Sequence, residues 1–362
     1  MQKKNKLILH IMHSEIGGAG DIALNLNYTE TNLLNTEYLL TGPKLFFGFQ
    51  KKLHYLKKKI YFQKINKGLH FIKILSVIKK INEINPDVIF LHNYQVLPSL
   101  YFKLFKKKKI IYVDHMSLKL KKLKDYISLL ISIFFFDKFV FVNKENYDNF
   151  KFIKSSKKVI IQNSVSDFFL NERKNLKKNS FLKIGIFGRI NKLKNHNIII
   201  DLLNENPKLK KNIKFYIAGS GESKINLLRN IRKYKLFNII KYLGELDETK
   251  LRKWFNKIDL YLHPSFGEAM SLTILQAMSS KTPILASNVS GINNFIGKKK
   301  YLGLLFNNEI SDLKEKLEYF IKLKKSEYKK FQLVQRNYFL KYHNLKKFKI
   351  EYKKVINDVI EF

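Results

Sequence analysis

A single carboxylate stands among small and apolar residues in the stretch HPSFGEAMSLTILQAMSSKTPILASNVSGINNFIG, residues 263–297. This carboxylate is Glu268, and Gln276 follows it eight residues later. We expect a helix to begin near Ser271, a favourable N-cap residue, and its free amides could bind a phosphate. A carboxylate beside a diphosphate is unfavourable unless it points at other groups, such as sugar hydroxyls. Taken alone, the stretch also fits a loop acid followed by a surface glutamine.

Apolar runs that alternate with helical segments surround this stretch and predict the elements that must position it. Strands that are apolar throughout and alternate with helices are typical of parallel sheets covered on both faces. The predicted strands are 7–12, 37–42, 87–93, 109–115, 138–143, 158–165, 181–190, 214–222, 239–246, 259–265 and 283–287. The predicted helices are 21–34, a basic region before residue 86, 195–206, 222–236, 248–258, the helix after Ser271 and a lysine-rich tail over 311–362.

The pattern predicts an α/β fold with two doubly wound, Rossmann-like domains of similar size. We place the first domain at 1–168 and the second at 169–345, and we expect a C-terminal helix over 346–362 to pack back toward the first domain. The polar segment NERKNLKKNS, residues 171–180, is suited to a linker. Ligands of open α/β sheets bind beyond the carboxyl ends of the strands, so two such domains facing each other would form a central cleft.

The composition limits the classes of function. The formal net charge is +40, from 69 basic and 29 acidic residues, which indicates an anionic partner or an AT-rich coding bias. We find no helix-turn-helix, zinc pattern or RNP-like aromatic motif, so no nucleic-acid partner is expected. There are no cysteines, which excludes disulfides and thiolate metal sites.

The N-terminal residues and one apolar run bear on localisation. The start MQKKNKLILHIM lacks the long apolar run and cleavage site of a signal peptide. The run ISLLISIFFF, residues 127–136, is too short to span a bilayer. We interpret it as a buried helix, with a surface that dips into a membrane as the alternative. These segments and the absence of cysteines fit a cytoplasmic location.

The stretch PSFGEAMSLTILQAMSSKTPILA, residues 264–286, resembles the signature of the family-4 retaining glycosyltransferases, which have the GT-B fold. That signature reads P-S-x-x-E-G-F-G-L-x-x-L-E-A-M-A-x-G-x-P-V-[IV]-A. Further elements of the family follow in order along nearly the whole chain, and they are specific only as a set. They are SEIGGAG (14–20), DVIFLHN (87–93), YVDHMS (112–117), FVNKEN (141–146), VIIQNSV (159–165), FGRINKLKNH (187–196) and IAGSGE (217–222).

The resemblance implies a role for two residues near the transferred sugar. Glu268 matches the first glutamate of the family's E-x7-E motif, which lies against the donor sugar. His115 matches the family histidine that bonds a sugar hydroxyl or helps stabilise the transition state, and His92 is the alternative. Glu268 and His115 are therefore the candidate catalytic residues.

The resemblance also implies a set of donor-binding residues. Arg189 and Lys194 match the basic pair that neutralises the leaving diphosphate, with Lys192 as the alternative to Lys194. The segment IIKYLGE, residues 239–245, would lie against the base. The remaining donor-binding candidates are Gly17, Gly18, Gly188, Gly219 with Gly221, Ser271, Leu272 and Gln276.

Three departures from the family signature bear on the site. Gln276 replaces the second glutamate, which binds the ribose hydroxyls, and an amide can bond a diol only as a neutral donor and acceptor. The family's E-G-F-G run reads Glu268-Ala269-Met270-Ser271, so both loop glycines are missing. Lys281 replaces a glycine at the end of the helix. The chain has no D-x-D motif, so we expect no metal and no other cofactor.

The resemblance implies transfer of a sugar from a nucleotide-diphosphate sugar to a hydroxyl of a bacterial surface glycan, with retained anomeric configuration. The acceptor would be a capsule, O-antigen or lipopolysaccharide glycan, often lipid-linked and anionic, and an anionic membrane is a further possible partner. Two alternatives stay open: a non-catalytic GT-B partner subunit, which Gln276 and the missing glycines allow, and a sugar-nucleotide epimerase of the same fold.

Overall fold

The computed structural model describes residues 5–14, 17–26, 34–45, 54, 58–65, 71–92, 96–169, 181–297 and 299–360. The chain divides into two compact units. The N-terminal unit combines residues 1–163 with 345–362, and the C-terminal unit is the continuous segment 164–344.

The N-terminal unit is built on a seven-stranded parallel sheet in the order β3-β2-β1-β4-β5-β6-β7. β4 is buried along its whole length, which explains its continuous apolar sequence. The strands are β1 Lys6–His13, β2 Leu34–Gly42, β3 Ile60–Lys64, β4 Val88–His92, β5 Lys109–Asp114, β6 Lys138–Phe141 and β7 Lys158–Ile160.

The edge strand β3 was not predicted, because its sequence was included in a basic helical region. Its side chains are half-buried or exposed, so it lacks the continuous apolar run of a central strand. The helices of this part of the chain are α1 Gly18–Asn25, α2 Phe71–Ile84, α3 Val96–Lys106, α4 Leu123–Phe135 and α5 Lys144–Asn149. The helix predicted over 21–34 corresponds to α1, and residues 27–33 of that prediction lie outside the described residues.

The C-terminal unit is built on a six-stranded parallel sheet in the order β10-β9-β8-β11-β12-β13. The strands are β8 Leu182–Phe187, β9 Ile213–Ala218, β10 Ile240–Tyr242, β11 Leu260–His263, β12 Ile284–Ser287 and β13 Leu304–Phe306. Its helices are α6 Ile198–Glu205, α7 Lys224–Lys233, α8 Glu248–Lys257, α9 Leu272–Ser279, α10 Ile310–Lys322 and α11 Lys325–Tyr342. β13 was not predicted, since three residues carry no periodic signal.

The last helix, α12 Leu345–Asn357, belongs to the N-terminal unit although it follows the whole C-terminal unit in sequence. Tyr352 of this helix is fully buried, and its ring lies 6.2 Å from that of Phe90 on β4. Lys138 at the start of β6 bonds Asp358 just beyond the helix at 3.1 Å. The helical tail predicted over 311–362 is thus shared between the two units.

The first residues of the C-terminal unit lie before the boundary that we predicted after residue 168. Val165 bridges to Asn344, and the amide of Phe168 donates to the hydroxyl of Ser279 at 3.1 Å. These bonds fasten the segment to the C-terminal unit, so the division falls at residue 163. The linker predicted at 171–180 lies outside the described residues.

The apolar run 127–136, which we interpreted as a buried helix, lies in and just beyond α4, and that helix is buried on one side only. Leu129 and Phe136 are buried, but Phe134 keeps 79% of its surface exposed. Within the described residues, no helix combines the length and the apolar character that a membrane span requires.

Candidate active site

The carboxylate of Glu268 is held by one residue from a strand end and one from a 3₁₀ turn. Glu268 lies in the loop between β11 and α9. Its Oε1 atom is 2.8 Å from Nε2 of His263, the last residue of β11, and it also accepts a hydrogen bond from the ammonium group of Lys194. Burial raises the pKa of Glu268, but Lys194 and His263 together lower it to about 2. The carboxylate is therefore charged at neutral pH, beside a cation and an imidazole.

The second ring nitrogen of His263, Nδ1, contacts a pair of hydroxyl groups. Nδ1 of His263 lies 3.0 Å from the hydroxyl of Tyr261, which also lies 2.6 Å from the hydroxyl of Thr273 in α9. Burial raises the pKa of Tyr261, so this hydroxyl stays protonated and can donate. The carboxylate of Glu268 can only accept, so Nε2 of His263 carries the proton and Nδ1 is the accepting nitrogen. The network thus orients His263 toward the carboxylate.

Helix α9 begins beside this carboxylate, as we predicted. Ser271 is its N-cap residue and Leu272 its first residue, but the Ser271 side chain makes no capping bond to the helix amides. Instead its hydroxyl lies 3.0 Å from that of Thr273. Because the Ser271 hydroxyl does not cap the helix, the first-turn amides of α9 can bind another acceptor.

Gln276 lies one turn into α9. Within the described residues, its buried Oε1 atom has no hydrogen-bond partner. A buried amide oxygen without a partner is costly, and such atoms in native proteins call for an explanation. A bound polar group would satisfy it.

Two glycine turns pack against each other at the ends of neighbouring strands. Gly188 follows β8 with a φ of 150°, and Gly219 follows β9 with a φ of 131°, values that favour glycine. A Cβ atom on Gly219 would collide with the carbonyl oxygen of Gly188. Gly219 is therefore required by close backbone packing, whereas Gly188 is favoured by its φ alone, since a Cβ atom there would meet no other atom.

The two bases predicted to bind diphosphate differ in their surroundings. Arg189 directly follows Gly188 and is exposed. Lys194 ends a short 3₁₀ turn, Lys192–Lys194, and forms an ion pair with Glu268. Lys192, the alternative to Lys194, is exposed.

Two histidines near this site were not singled out from the sequence. His263 stood at the carboxyl end of a predicted strand, five residues before Glu268, and that position was the available signal. His196 is 4% exposed, and among the described residues neither of its ring nitrogens has a hydrogen-bond partner. Burial, reinforced by His263 and Lys194, lowers the pKa of His196 to about 4. His196, Lys194 and His263 line one small cavity, together with Ile186, Phe187, Pro264 and Ser265.

In the N-terminal unit, three histidines from neighbouring strands form a hydrogen-bonded chain. Nδ1 of His10 on β1 lies 2.9 Å from Nε2 of His92 at the end of β4. Nδ1 of His92 lies 2.9 Å from Nε2 of His115, which follows β5. The rings are stacked, with both pairs of centroids 5.2 Å apart. His115 and its sequence alternative His92 are therefore in direct contact.

Burial keeps the three histidines neutral, and the hydrogen bonds between them indicate their tautomers. It lowers the pKa of His10 and of His115 to about 3, and that of His92 well below its usual range. Within the described residues, Nε2 of His10 has no hydrogen-bond partner. A buried nitrogen without a proton is less costly than a buried N–H group without an acceptor, so the proton of His10 lies on Nδ1. Nδ1–H of His10 then donates to His92, and Nδ1–H of His92 donates to His115.

A buried ion pair fixes the loop that carries His115. Lys121 and Asp114 are 3% and 0% exposed, with 2.5 Å between Nζ and Oδ1. Lys121 also donates to the carbonyl of Met116 at 3.1 Å, and the side-chain amide of Asn146 donates to Asp114 at 2.8 Å. These bonds hold the backbone on both sides of His115.

The predicted glycine loop after β1 is described in part. Gly17 is the N-cap residue of α1, with an extended φ of −173°, and Gly18 is the first, exposed residue of that helix. Residues 15 and 16 of the motif lie outside the described residues. Among the described residues, no group of three or more His, Asp or Glu side chains is placed to hold a metal ion.

Comparison with known proteins bears directly on the segment that carries Glu268. Residues 167–333 match the family model described as "Glycosyl transferases group 1". This match covers most of the C-terminal unit, and Gly188, Lys194, Glu268 and α9 all lie within the matched residues.

Two bacterial proteins are similar to part of this chain. "Protein CapJ" of Staphylococcus aureus is 29% identical over 194 residues, which cover 51% of this chain and 48% of CapJ. "O-antigen biosynthesis glycosyltransferase WclY" of Escherichia coli is 28% identical over 162 residues, which cover 43% of this chain and 44% of WclY. The chain thus aligns with less than half of the length of each of these relatives.

A solved structure resembles the whole chain. Anabaena Alr3699/HepE, crystallised in complex with UDP and glucose, is 14% identical and superimposes with a TM-score of 0.80 over 97% of this chain and 99% of its own. At this identity the likeness shows the fold. The two α/β units with parallel sheets have the GT-B form that the sequence predicts.

Proposed function

We propose that the chain is a family-4 retaining glycosyltransferase that moves a sugar from a nucleoside-diphosphate sugar to a hydroxyl of a bacterial surface glycan. The observation that carries this proposal is the contact of Lys194 and His263 with Glu268, beside the N-terminus of α9. A cation, helix amides and a charged carboxylate are the groups that a diphosphate and a sugar require. All of them lie within the segment that matches the group 1 model.

In the proposed reaction, the bond between the anomeric carbon and the diphosphate oxygen breaks, and a bond to the acceptor oxygen forms on the same face. The leaving phosphate takes the acceptor proton, so atoms and charge balance without a second protein base. Lys194, Arg189 and the first amides of α9 stabilise the charge that develops on the diphosphate. No metal and no other cofactor takes part.

Glu268 is proposed to bind hydroxyls of the transferred sugar, and His115 to bond the sugar from the N-terminal unit. Gln276 is proposed to face the ribose, which would satisfy its buried Oε1 atom. Gly17, Gly18, Gly188 and Gly219 would let the backbone approach the donor.

The proposed acceptor is a growing capsule, O-antigen or lipopolysaccharide glycan. WclY supports this class through the O-antigen biosynthesis in its name. Such acceptors are often lipid-linked and anionic, which suits a formal net charge of +40. The proposed location is the cytoplasmic side of the plasma membrane, with peripheral contact to anionic lipid.

Calorimetric titration of the purified chain with UDP, GDP, ADP and CMP tests the donor site. We expect one diphosphate to bind, and the substitution Lys194→Ala to weaken it by about 10-fold to 100-fold, because a charge-assisted contact is lost. Arg189→Ala should have an effect of the same sign. Lys208→Ala is the matched control, since Lys208 is an exposed lysine of the same unit that has no proposed role in donor binding.

Two results would contradict the proposal. If none of the four nucleotides binds, the chain fits the alternative of a non-catalytic partner subunit. If a nucleotide sugar is converted without any acceptor into its epimer, the chain fits the epimerase alternative.

A further inference from the structure

Helix α4 of the N-terminal unit presents an apolar stripe to the solvent. Five large residues are exposed: Leu123 by 76%, Ile127 by 48%, Leu130 by 48%, Ile131 by 38% and Phe134 by 79%. At ~100° per residue they fall within an arc of roughly 100° on the helix, so they form one continuous face. An apolar face of this size on a globular protein is typical of an interaction site.

The opposite side of α4 already contributes to the core. Leu129 is 2% exposed, Ser132 is 0% exposed, and Phe136 just beyond the helix is fully buried. The helix is therefore fixed against the unit by one face. Its exposed face is not needed for packing within the N-terminal unit.

Lysines border the stripe. Residues 103–138 contain ten lysines and three aspartates. Lys119 and Lys122 are exposed just before the helix. Lys106 at the end of the adjacent α3, Lys107 after it and Lys109 at the start of β5 are exposed as well. The three aspartates are all engaged: Asp114 with Lys121, Asp137 with Lys103, and Asp125 with the amide of Lys122. The surroundings of the stripe are therefore strongly positive.

We propose that this face of α4, the residues Leu123, Ile127, Leu130, Ile131 and Phe134, is the surface on which the protein docks to an anionic lipid bilayer. The apolar side chains enter the boundary between head groups and acyl chains, and the flanking lysines bind the acidic head groups. The proposal rests on the membrane contact proposed above and assigns it to specific residues.

The charge pattern favours lipid over a protein partner. An amphipathic helix with an apolar face and a lysine-rich border is the pattern of interfacial helices. A second copy of the chain would bring a second +40 charge against the first, and its own stripe would be bordered by lysines as well. An anionic bilayer matches both the apolar and the basic part of the surface.

Vesicle co-sedimentation of the full chain tests the surface. The probes are vesicles of phosphatidylcholine alone and of phosphatidylcholine with an equal amount of phosphatidylglycerol. The test variant combines Leu123→Ser with Phe134→Ser. The matched control combines Ile225→Ser with Phe237→Ser, two side chains of the C-terminal unit with exposures of 72% and 63%. Serine at these exposed positions leaves the cores intact.

We expect the wild-type chain and the control to bind the phosphatidylglycerol vesicles, and the test variant to bind at least ~10-fold more weakly because two apolar anchors are lost. Equal binding by the test variant and the wild type would overturn the proposal, as would wild-type binding to neither vesicle. A dimer at sedimentation equilibrium that only the test variant abolishes would assign the stripe to a second copy instead. Titration of all three proteins with UDP measures the donor site independently of the stripe, because the donor site lies in the C-terminal unit. Loss of vesicle binding can therefore be told apart from loss of donor binding.

Discussion

The ammonium group of Lys194 is hydrogen-bonded to the carboxylate of Glu268, across 74 positions of sequence. The two residues were predicted for different tasks, one at the diphosphate and one at the sugar. In the structure each neutralises the other, so the site holds its charges without a ligand. A bound diphosphate would compete with Glu268 for the same ammonium group.

The substitution Glu268→Gln should separate binding from transfer. The amide cannot hold the ammonium group of Lys194 as an ion pair, so Lys194 becomes available to phosphate. We expect UDP or the other bound nucleotide to bind as tightly as before or up to about 10-fold more tightly, while transfer falls by about 100-fold or more. Calorimetry and a radiolabelled sugar-transfer assay measure the two quantities.

The matched control for this substitution is Glu205→Gln, an exposed glutamate at the end of α6 in the same unit. It should change neither quantity. If transfer by Glu268→Gln equals that of the wild type, Glu268 has no part in the chemistry.

The Lys194–Glu268 contact should make stability depend on pH in the acid range. The carboxyl pKa falls from its ordinary value of 4.5 to about 2 in the folded state. A lowered pKa stabilises the fold above pH 4.5, and this contribution, on the order of 3 kcal/mol, is lost as the pH falls toward 2. The difference in stability between the wild type and Glu268→Gln should therefore shrink from about pH 5 downward.

Fluorescence of Trp254 is a suitable measurement for this comparison. It is the single tryptophan of the chain and is 5% exposed in the C-terminal unit, with its ring 6.1 Å from that of Phe187. Denaturant midpoints followed at this residue report on the unit that contains Glu268. A stability difference that stays constant down to about pH 3 would contradict the assignment.

His10→Phe tests the histidine chain as a positioning device for His115. His10 stacks on Tyr38 and Phe90 at 5.4 and 4.8 Å, so a phenyl ring suits the space. Without the donor at His10, His92 can adopt the other tautomer and reverse its hydrogen bond to His115. We expect kcat to fall by about 10-fold and the KM for the donor to stay unchanged.

Tyr38→Phe is the control for His10→Phe, because it alters the same stack and leaves the chain of nitrogens intact. A purely structural role would lower thermal stability in proportion to any loss of activity. An unchanged kcat in a folded His10→Phe protein would show that the chain does not act on the reaction.

Lys121→Met should destabilise the N-terminal unit strongly. It leaves Asp114, which is 0% exposed, without its cation, and breaking a buried pair by removing one partner costs about 3–5 kcal/mol. Lys119→Met, an exposed lysine of the same loop, should cost less than about 0.5 kcal/mol. Circular dichroism during denaturant unfolding measures both, and equal stabilities of the two variants would contradict the prediction.

The sequence predicted the central strands of both sheets because each is an apolar run buried on both faces. It did not reveal β3 or β13, which are short edge strands whose side chains carry little periodicity. The prediction that α4 is a buried helix was also incomplete. The sequence of a run such as ISLLISIFFF does not show whether its second face packs against protein or lies at the surface of the unit. Composition alone cannot separate these environments.

The sequence was informative about the candidate site where a motif fixed the spacing. Glu268, Ser271 and Gln276 occupy the loop and helix positions that we predicted. The network behind them was missed, because Tyr261 and His263 lie two residues apart on β11 but only the packing of α9 brings Thr273 against them. The same holds for His10, which joins His92 and His115 across three strands.

The N-terminal unit is interrupted in sequence, since its helix α12 follows all of the C-terminal unit. During synthesis, residues 164–344 are complete before α12 has left the ribosome. The C-terminal unit can therefore reach its native state first. The apolar surface of the N-terminal unit that Phe348 and Tyr352 cover stays exposed until α12 is synthesised. A truncation before residue 345 should release a folded C-terminal unit attached to an N-terminal unit prone to aggregation.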